Sequence, residues 1–161
     1  MNALRYKILV VDDEPDLLTA YRNLLESAGF GVLCAGSARE ALDVARQSRP
    51  DLVLSDVAMP EVDGRALTAQ LKADRATAAI PIVLMSGAYK EEEDQAEGLE
   101  AGADDYLPKP SSPRLMAARL RAVLRRYSAA ADIGETLAAE DIRLDVASRI
   151  ALAALAVLYA V

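Results

Sequence analysis

Five residues capable of chemistry stand where apolar runs end: Asp12 and Asp13 after ILVV, Asp56 after LVLS, Ser86 closing VLMS, and Lys109 just past DYLP. If these runs lie side by side, three carboxylates, one hydroxyl and one ammonium meet at one edge. Carboxylates crowded within several Å raise one another's pKa, and a hard dication relieves that. An all-oxygen donor set that keeps some water suits Mg²⁺. Lysine is a poor neighbour for a metal but a good one for a phosphoryl oxygen, and the hydroxyl can donate to a second such oxygen. A carboxylate nucleophile with a cation, a lysine and a hydroxyl describes phosphoryl transfer onto aspartate, where positioning and charge neutralisation supply most of the catalysis. Singly, each residue has a plainer reading: a solvated Asp-Asp loop, a turn former before Pro60, a strand end, a surface lysine. Their joint order at the ends of successive runs favours the chemical reading.

The elements that must position them follow from hydrophobic period. Strands are expected at Tyr6–Val11, Phe30–Ala35, Asp51–Ser55, Ile80–Ser86 and Asp104–Leu107. Helices are expected at Glu14–Ala28, Ser37–Ser48, Arg65–Ala73, Glu91–Ala101 and Pro113–Tyr127. The runs ILVV, LVLS and PIVLM read as continuously buried, the habit of parallel strands covered on both faces. Gly29 and Gly102 read as helix stops, and Ser37 with Glu40 as a capping box. The expectation is an α/β fold: a doubly wound, five-stranded parallel sheet with five helices and a short C-terminal extension. Right-handed crossovers then put any ligand beyond the carboxyl ends of the strands, where these five residues stand.

Composition excludes several classes. The 161 residues carry 18 basic and 25 acidic side chains, a net charge of −7, so phosphate-backbone electrostatics do not favour nucleic acid. Histidine is absent, so the chain has no histidine metal ligand, no histidine base and no phosphohistidine of its own. A phosphohistidine donor would have to be another protein. One cysteine, Cys34, rules out an intramolecular disulfide and accords with a reducing cytoplasm. In its apolar strand Cys34 reads as a small core residue, and the acidic run Glu91–Asp94 as a helix N-terminus favoured by the macrodipole.

The segments VVDDEP at Val10–Pro15, LVLSDVAMPEVDG at Leu52–Gly64, VLMSGA at Val83–Ala88 and GADDYLPKP at Gly102–Pro110 together resemble the receiver domains of two-component response regulators, over roughly residues 5 to 127. The resemblance implies a flavodoxin-like strand order 2-1-3-4-5. It implies Asp56 as phospho-acceptor, with Mg²⁺ bound directly by Asp13, Asp56 and the backbone carbonyl of Ala58, and by Asp12 through water. It also implies Ser86 as switch hydroxyl, Tyr106 as the aromatic that follows it, Lys109 as the partner of the phosphoryl group, and a cis bond between Lys109 and Pro110. The donor would be a histidine kinase or a histidine phosphotransfer protein. The last helix, RLMAARLRAVLRR, resembles receivers of winged-helix transcription factors. There Asp104 and Asp105 would pair with Arg119 and Arg126 across a homodimer formed by helix four, strand five and helix five. Gln95, Glu97, Leu115 and Ser111 depart from that subfamily's pattern.

A receiver at 1–127 followed by a linker and apolar extension at 128–161 is the expected organisation. Asp141–Arg149 alternates like the opening strand of an effector, and Ile150–Val161 is apolar throughout. Twelve apolar residues fall short of the roughly 20 that a membrane-spanning helix needs. The segment reads as a buried strand or helix, an effector remnant or a peripheral membrane contact, and no basic helix supports direct DNA binding. Two further function classes fit less well. A Mg²⁺-dependent aspartyl-phosphate phosphohydrolase usually has a second aspartate two residues after the nucleophile, where this chain has Ala58. An unphosphorylated receiver-like binding module is disfavoured by the intact Asp12, Asp13, Asp56 and Lys109. A signalling switch, not an enzyme with turnover, is the expectation.

Overall fold

The computed structural model describes residues 6–87, 96–97 and 99–130. The elements are β1 (Lys7–Val11), α1 (Pro15–Ser27), β2 (Gly31–Ala35), α2 (Ala38–Ser48), β3 (Leu52–Asp56), α3 (Gly64–Ala73), β4 (Ile82–Ser86) and β5 (Asp105–Pro108). Residues 96, 97, 99 and 100 are helical and form part of α4, and residues 113–130 form α5. The five strands pair in the order β2-β1-β3-β4-β5, every pair parallel, as the apolar runs require. By compactness the chain divides into residues 1–124 and 125–161. The sheet belongs to the first unit; of the second, residues 125–130 are described, and they are helical. Ser128–Ala130, where a linker was expected to open, are helical, in keeping with the high helix propensity of alanine. The Glu91–Asp94 run, the strand expected at Asp141–Arg149 and the apolar segment Ile150–Val161 lie outside the described residues.

Burial explains the runs. Ile8 to Val11 and Leu52 to Leu54 have no exposed surface, so both faces of β1 and β3 are covered. Alternate residues of the strands serve opposite layers. Leu9, Val11, Val53, Ile82 and Leu84 pack in one cluster with Ala41 and Ala45 of α2 and Leu67 and Leu71 of α3. Each large apolar side chain so buried contributes about 1.5–3 kcal/mol. Cys34 is half-buried in β2, less enclosed than its apolar run suggests.

Local chemistry sets the boundaries. α1 begins with Pro15 at its first position, where a missing N–H costs nothing. Gly29, at φ 95°, lets the chain reverse after α1, with Phe30 N–H donating to the Leu25 carbonyl. At α2 the Ser37 hydroxyl accepts from Glu40 N–H at 3.2 Å, as a capping box predicts. The return bond differs: the Glu40 carboxylate accepts from Gly36 N–H at 2.7 Å, one residue before the cap. β4 begins at Ile82, not Ile80, because Pro81 has no N–H to give the ladder, while its carbonyl accepts from Val53 N–H at 2.9 Å.

Candidate functional site

Register brings the chemistry together. Val11 lies opposite Ser55, Asp56 opposite Met85, and Ser86 opposite Pro108, so the residues ending β1, β3, β4 and β5 share one edge. Asp12 follows β1 and is held by its own N–H, which donates to the Ala35 carbonyl at 3.2 Å. Its Oδ1 accepts from Glu14 N–H at 3.0 Å, an Asx turn that fixes the carboxylate. Asp56 is the last residue of β3 instead of the first beyond it; the chain then turns back through Val57, whose N–H donates to the Met85 carbonyl at 2.9 Å. Lys109 follows β5, its N–H donating to the Ser86 carbonyl at 2.6 Å, and the Lys109–Pro110 bond is cis.

The Lys109 ammonium lies between the two inner carboxylates, 2.9 Å from Asp12 Oδ2 and 3.1 Å from Asp56 Oδ1. The Asp12 side chain is only 1% exposed, that of Asp56 11% and that of Lys109 18%. Asp13 is exposed at the rim, and carboxylate oxygens of Asp12, Asp13 and Asp56 lie within 4.8 Å of one another. Burial pushes the Asp56 carboxyl above its ordinary range, and the Lys109 charge and hydrogen bond only partly oppose this. Burial pulls Lys109 downward, but its hydrogen bond to Asp12 and the charge of Asp56 outweigh that and raise it. A buried carboxylate that ionises reluctantly, beside an exposed one, suits a hard dication: the donors are all oxygen, they converge, and Asp13 keeps a solvent side for water.

The remaining expected residues fall as follows. Ala58 is exposed in the β3–α3 loop, two positions beyond Asp56. Ser86 ends β4, half-buried, one position past the register partner of Asp56. Tyr106 packs against the α2/α3 side of the core, and its hydroxyl is buried without a hydrogen-bond partner among the described residues. Asp104 accepts from Ile82 N–H at 2.8 Å and stands 3.6 Å from Lys72 Nζ, so it is engaged inside the chain. Asp105 pairs with Arg119 of the same chain at 3.1 Å, where the sequence suggested pairing across a dimer. Arg126 is exposed on the helical residues of the second unit.

Sequence reasoning passed over two residues. Gly64 opens α3, and a Cβ there would fall 2.2 Å from the Asp56 carbonyl oxygen; only glycine lets α3 start this close to the site. The Asp63-Gly64 pair, with Asp63 capping Ala66 N–H at 2.8 Å, was the available signal. Tyr21 lies on α1 with the Lys109 ammonium 5.7 Å from its ring centroid. Its spacing of four from Leu17 and from Leu25 places it on the inward face of the helix.

The response regulator receiver domain model matches residues 8–121. The chain belongs to this family. It is 43% identical over 129 residues to the alkaline phosphatase synthesis transcriptional regulatory protein PhoP of Bacillus subtilis, covering 80% of this chain and 52% of that protein. It is 44% identical over 119 residues to the phosphate regulon transcriptional regulatory protein PhoB of Pseudomonas aeruginosa, covering 74% and 52%. The chain thus spans about half the length of these curated relatives. Among solved structures, a putative response regulator from Chloroflexus aurantiacus matches with TM-score 0.71 and 31% identity over 75% of this chain and 98% of that one. A response regulator receiver domain protein from Clostridium thermocellum matches with TM-score 0.71 and 27% identity, over 76% and 97%. The receiver is therefore of the two-component signalling type, with the flavodoxin-like strand order. No helix among the described residues is long and apolar enough to cross a membrane.

Proposed function

We propose that this receiver is switched by transfer of a phosphoryl group from a partner's phosphohistidine to Asp56. The observation that carries the reading is the Lys109 ammonium held at 2.9 and 3.1 Å between Asp12 and Asp56. It is a cation already placed where negative charge would grow. An Asp56 carboxylate oxygen attacks phosphorus; the O–P bond forms, the donor P–N bond breaks, and the electron pair leaves with the imidazole nitrogen. Lys109 turns from the carboxylates to a phosphoryl oxygen, and the Ser86 hydroxyl donates to another. Asp13 and Asp56, with the Ala58 carbonyl and Asp12 through water, would hold Mg²⁺, which when bound offsets the combined charge of carboxylates and phosphoryl group.

Inward movement of Ser86 lets Tyr106 follow, which alters the α4–β5–α5 surface and biases the chain toward a partner-binding state. A homodimer across that surface would exchange the internal Asp105–Arg119 pair for one between copies, with Asp104 and Arg126 at its margin. The donor is a histidine kinase or histidine phosphotransfer protein, and the working compartment is the cytoplasm. The receiver at 1–127 acts as a switch without catalytic turnover, and the sequence at 128–161 offers no basic run with which to read DNA. Transcriptional output, as the curated relatives' names describe for them, would come through partners or further domains. The test is incubation with acetyl phosphate and Mg²⁺ followed by intact-mass measurement. The parent should gain one phosphoryl group that Asp56→Asn does not; a labelled Asp56→Asn protein would refute the assignment.

A further inference from the structure

Between the apolar part of β3 and Asp56 stands one further polar side chain. Ser55 has no exposed surface, and it lies opposite Val11 of β1 and Leu84 of β4, both members of the cluster packed against α2 and α3. Register partners in a parallel sheet present their side chains to the same face. The hydroxyl is therefore set among apolar neighbours, where alanine or valine would avoid burying a polar group. Its hydrogen bond goes to the next residue: Ser55 Oγ donates to the Asp56 carbonyl at 2.9 Å. That carbonyl stands beyond the β1–β3 ladder, which closes at Val11 and Ser55. On another side it meets α3, where a Cβ on Gly64 would fall 2.2 Å from the same oxygen. The nitrogen of the same peptide is held as well, Val57 N–H donating to the Met85 carbonyl at 2.9 Å. The peptide that follows Asp56 is thus fixed by a hydroxyl at its oxygen, by β4 at its nitrogen and by the close approach of α3.

We propose that Ser55 is a positioning residue for phosphoryl transfer: its hydroxyl fixes the peptide after Asp56, and with it the path of the β3–α3 loop past the reacting carboxylate. This rests on the assignment of Asp56 as phospho-acceptor. Asp56 ends β3, so β4 still holds it on one side while the β1 ladder has run out on the other. Rotation about ψ of Asp56 and φ of Val57 sets how the chain leaves the strand. The loop that follows carries Ala58 two positions on, beside the place where a phosphoryl group would arrive. A displacement of about 1 Å among groups that must enclose a reacting centre can cost on the order of a hundredfold in rate. A hydroxyl on the buried face holds that peptide without standing in the path of the incoming group.

The experiment compares the parent, Ser55→Ala and Thr77→Val, phosphorylated with phosphoramidate at saturating Mg²⁺. Rates are split into a limiting rate and a half-saturating donor concentration. Thr77 is the control: it is equally buried, and its hydroxyl also donates to a backbone carbonyl, that of Leu71 at 2.8 Å, towards the C-terminal end of α3. Both variants remove a buried hydroxyl from a carbonyl and should lower the urea midpoint. Ser55→Ala alone should lower the limiting rate, on the order of five- to tenfold, with the half-saturating donor concentration near the parental value. The ¹³C resonance of the Asp56 carbonyl should move upfield in Ser55→Ala, as a lost hydrogen bond requires, and stay in place in Thr77→Val. A Ser55→Ala limiting rate within twofold of the parent overturns the proposal, and so does an equal loss of rate in Thr77→Val. A slowed Ser55→Ala protein with an unmoved Asp56 carbonyl resonance overturns it as well. These three outcomes leave the phospho-acceptor standing; a parent that gains no phosphoryl group on Asp56 removes that assignment and the proposal with it.

Discussion

Replacing Lys109 by methionine tests the electrostatic core of the site most directly. The substitution nearly conserves volume and removes only the charge. It leaves the carboxylate of Asp12, 1% exposed, facing that of Asp56, 11% exposed, with Asp13 within 4.8 Å. Removing one partner of a buried ion pair costs about 3–5 kcal/mol. Two features reduce this: Asp12 keeps its bond from Glu14 N–H, and Asp56, already raised by burial, can take up a proton. The expected loss in metal-free buffer at pH 7.5 is therefore about 2–3 kcal/mol, or roughly 10 °C in melting temperature for a domain of this size. The sign of the pH dependence follows. Without the lysine, the Asp56 pKa rises further, so the native state holds a proton over a wider range than the unfolded chain. Stability is then favoured at low pH and lost as pH rises through the folded pKa. The deficit relative to the parent should be smallest in mild acid and largest above neutrality. Mg²⁺ should narrow it, because a dication replaces the missing positive charge and so binds the variant more tightly than the parent, each tenfold in Kd adding about 1.4 kcal/mol. Urea unfolding in EDTA and in Mg²⁺ at several pH values measures all three effects. Equal midpoints for parent and Lys109→Met in EDTA at pH 7.5 would refute the claim that the ammonium holds these carboxylates together.

Gly64→Ala should destabilise the fold by about 3 kcal/mol, because a Cβ 2.2 Å from the Asp56 carbonyl forces the backbone apart. Its labelling by acetyl phosphate should slow beyond what the shifted urea midpoint explains, and a parental midpoint would contradict the close approach. Tyr106→Phe removes a buried hydroxyl that has no partner among the described residues, and should raise stability by about 1 kcal/mol in urea; a loss of that size would show that the hydroxyl is bonded. In metal-free buffer the raised pKa of Asp56 makes parental stability fall as pH climbs from the acid range through the folded pKa. Asp56→Asn should abolish that limb, and a variant with the parental slope would assign it elsewhere.

The sheet was legible because its evidence is one-dimensional. Runs such as ILVV and LVL are apolar at every position, the habit of strands covered on both faces, and parallel pairing with right-handed crossovers leaves few orders. The candidate site was legible for the same reason: Asp12, Asp56, Ser86 and Lys109 owe their places to strand ends. What was not legible is a side chain's partner within the chain where tertiary approach chooses it. The resemblance implies an arginine partner for Asp104 across a dimer; within the chain, β4 begins after Pro81 with Ile82 N–H donating to Asp104, and Lys72 comes from α3 to join them. Asp105 and Arg119 are 14 residues apart and meet because β5 and α5 lie together, so the pair is satisfied within one copy.

Tyr21 belongs to the same group. Its helical spacing reveals that it faces inward but not what it faces; that depends on α1 packing beside β1 and on Lys109 arriving from residues nearly 90 positions later. The strand-end residues define which reaction the edge can support, because their chemistry is fixed by type. The neighbours that tertiary approach brings to those residues are set by packing that no single run of sequence encodes.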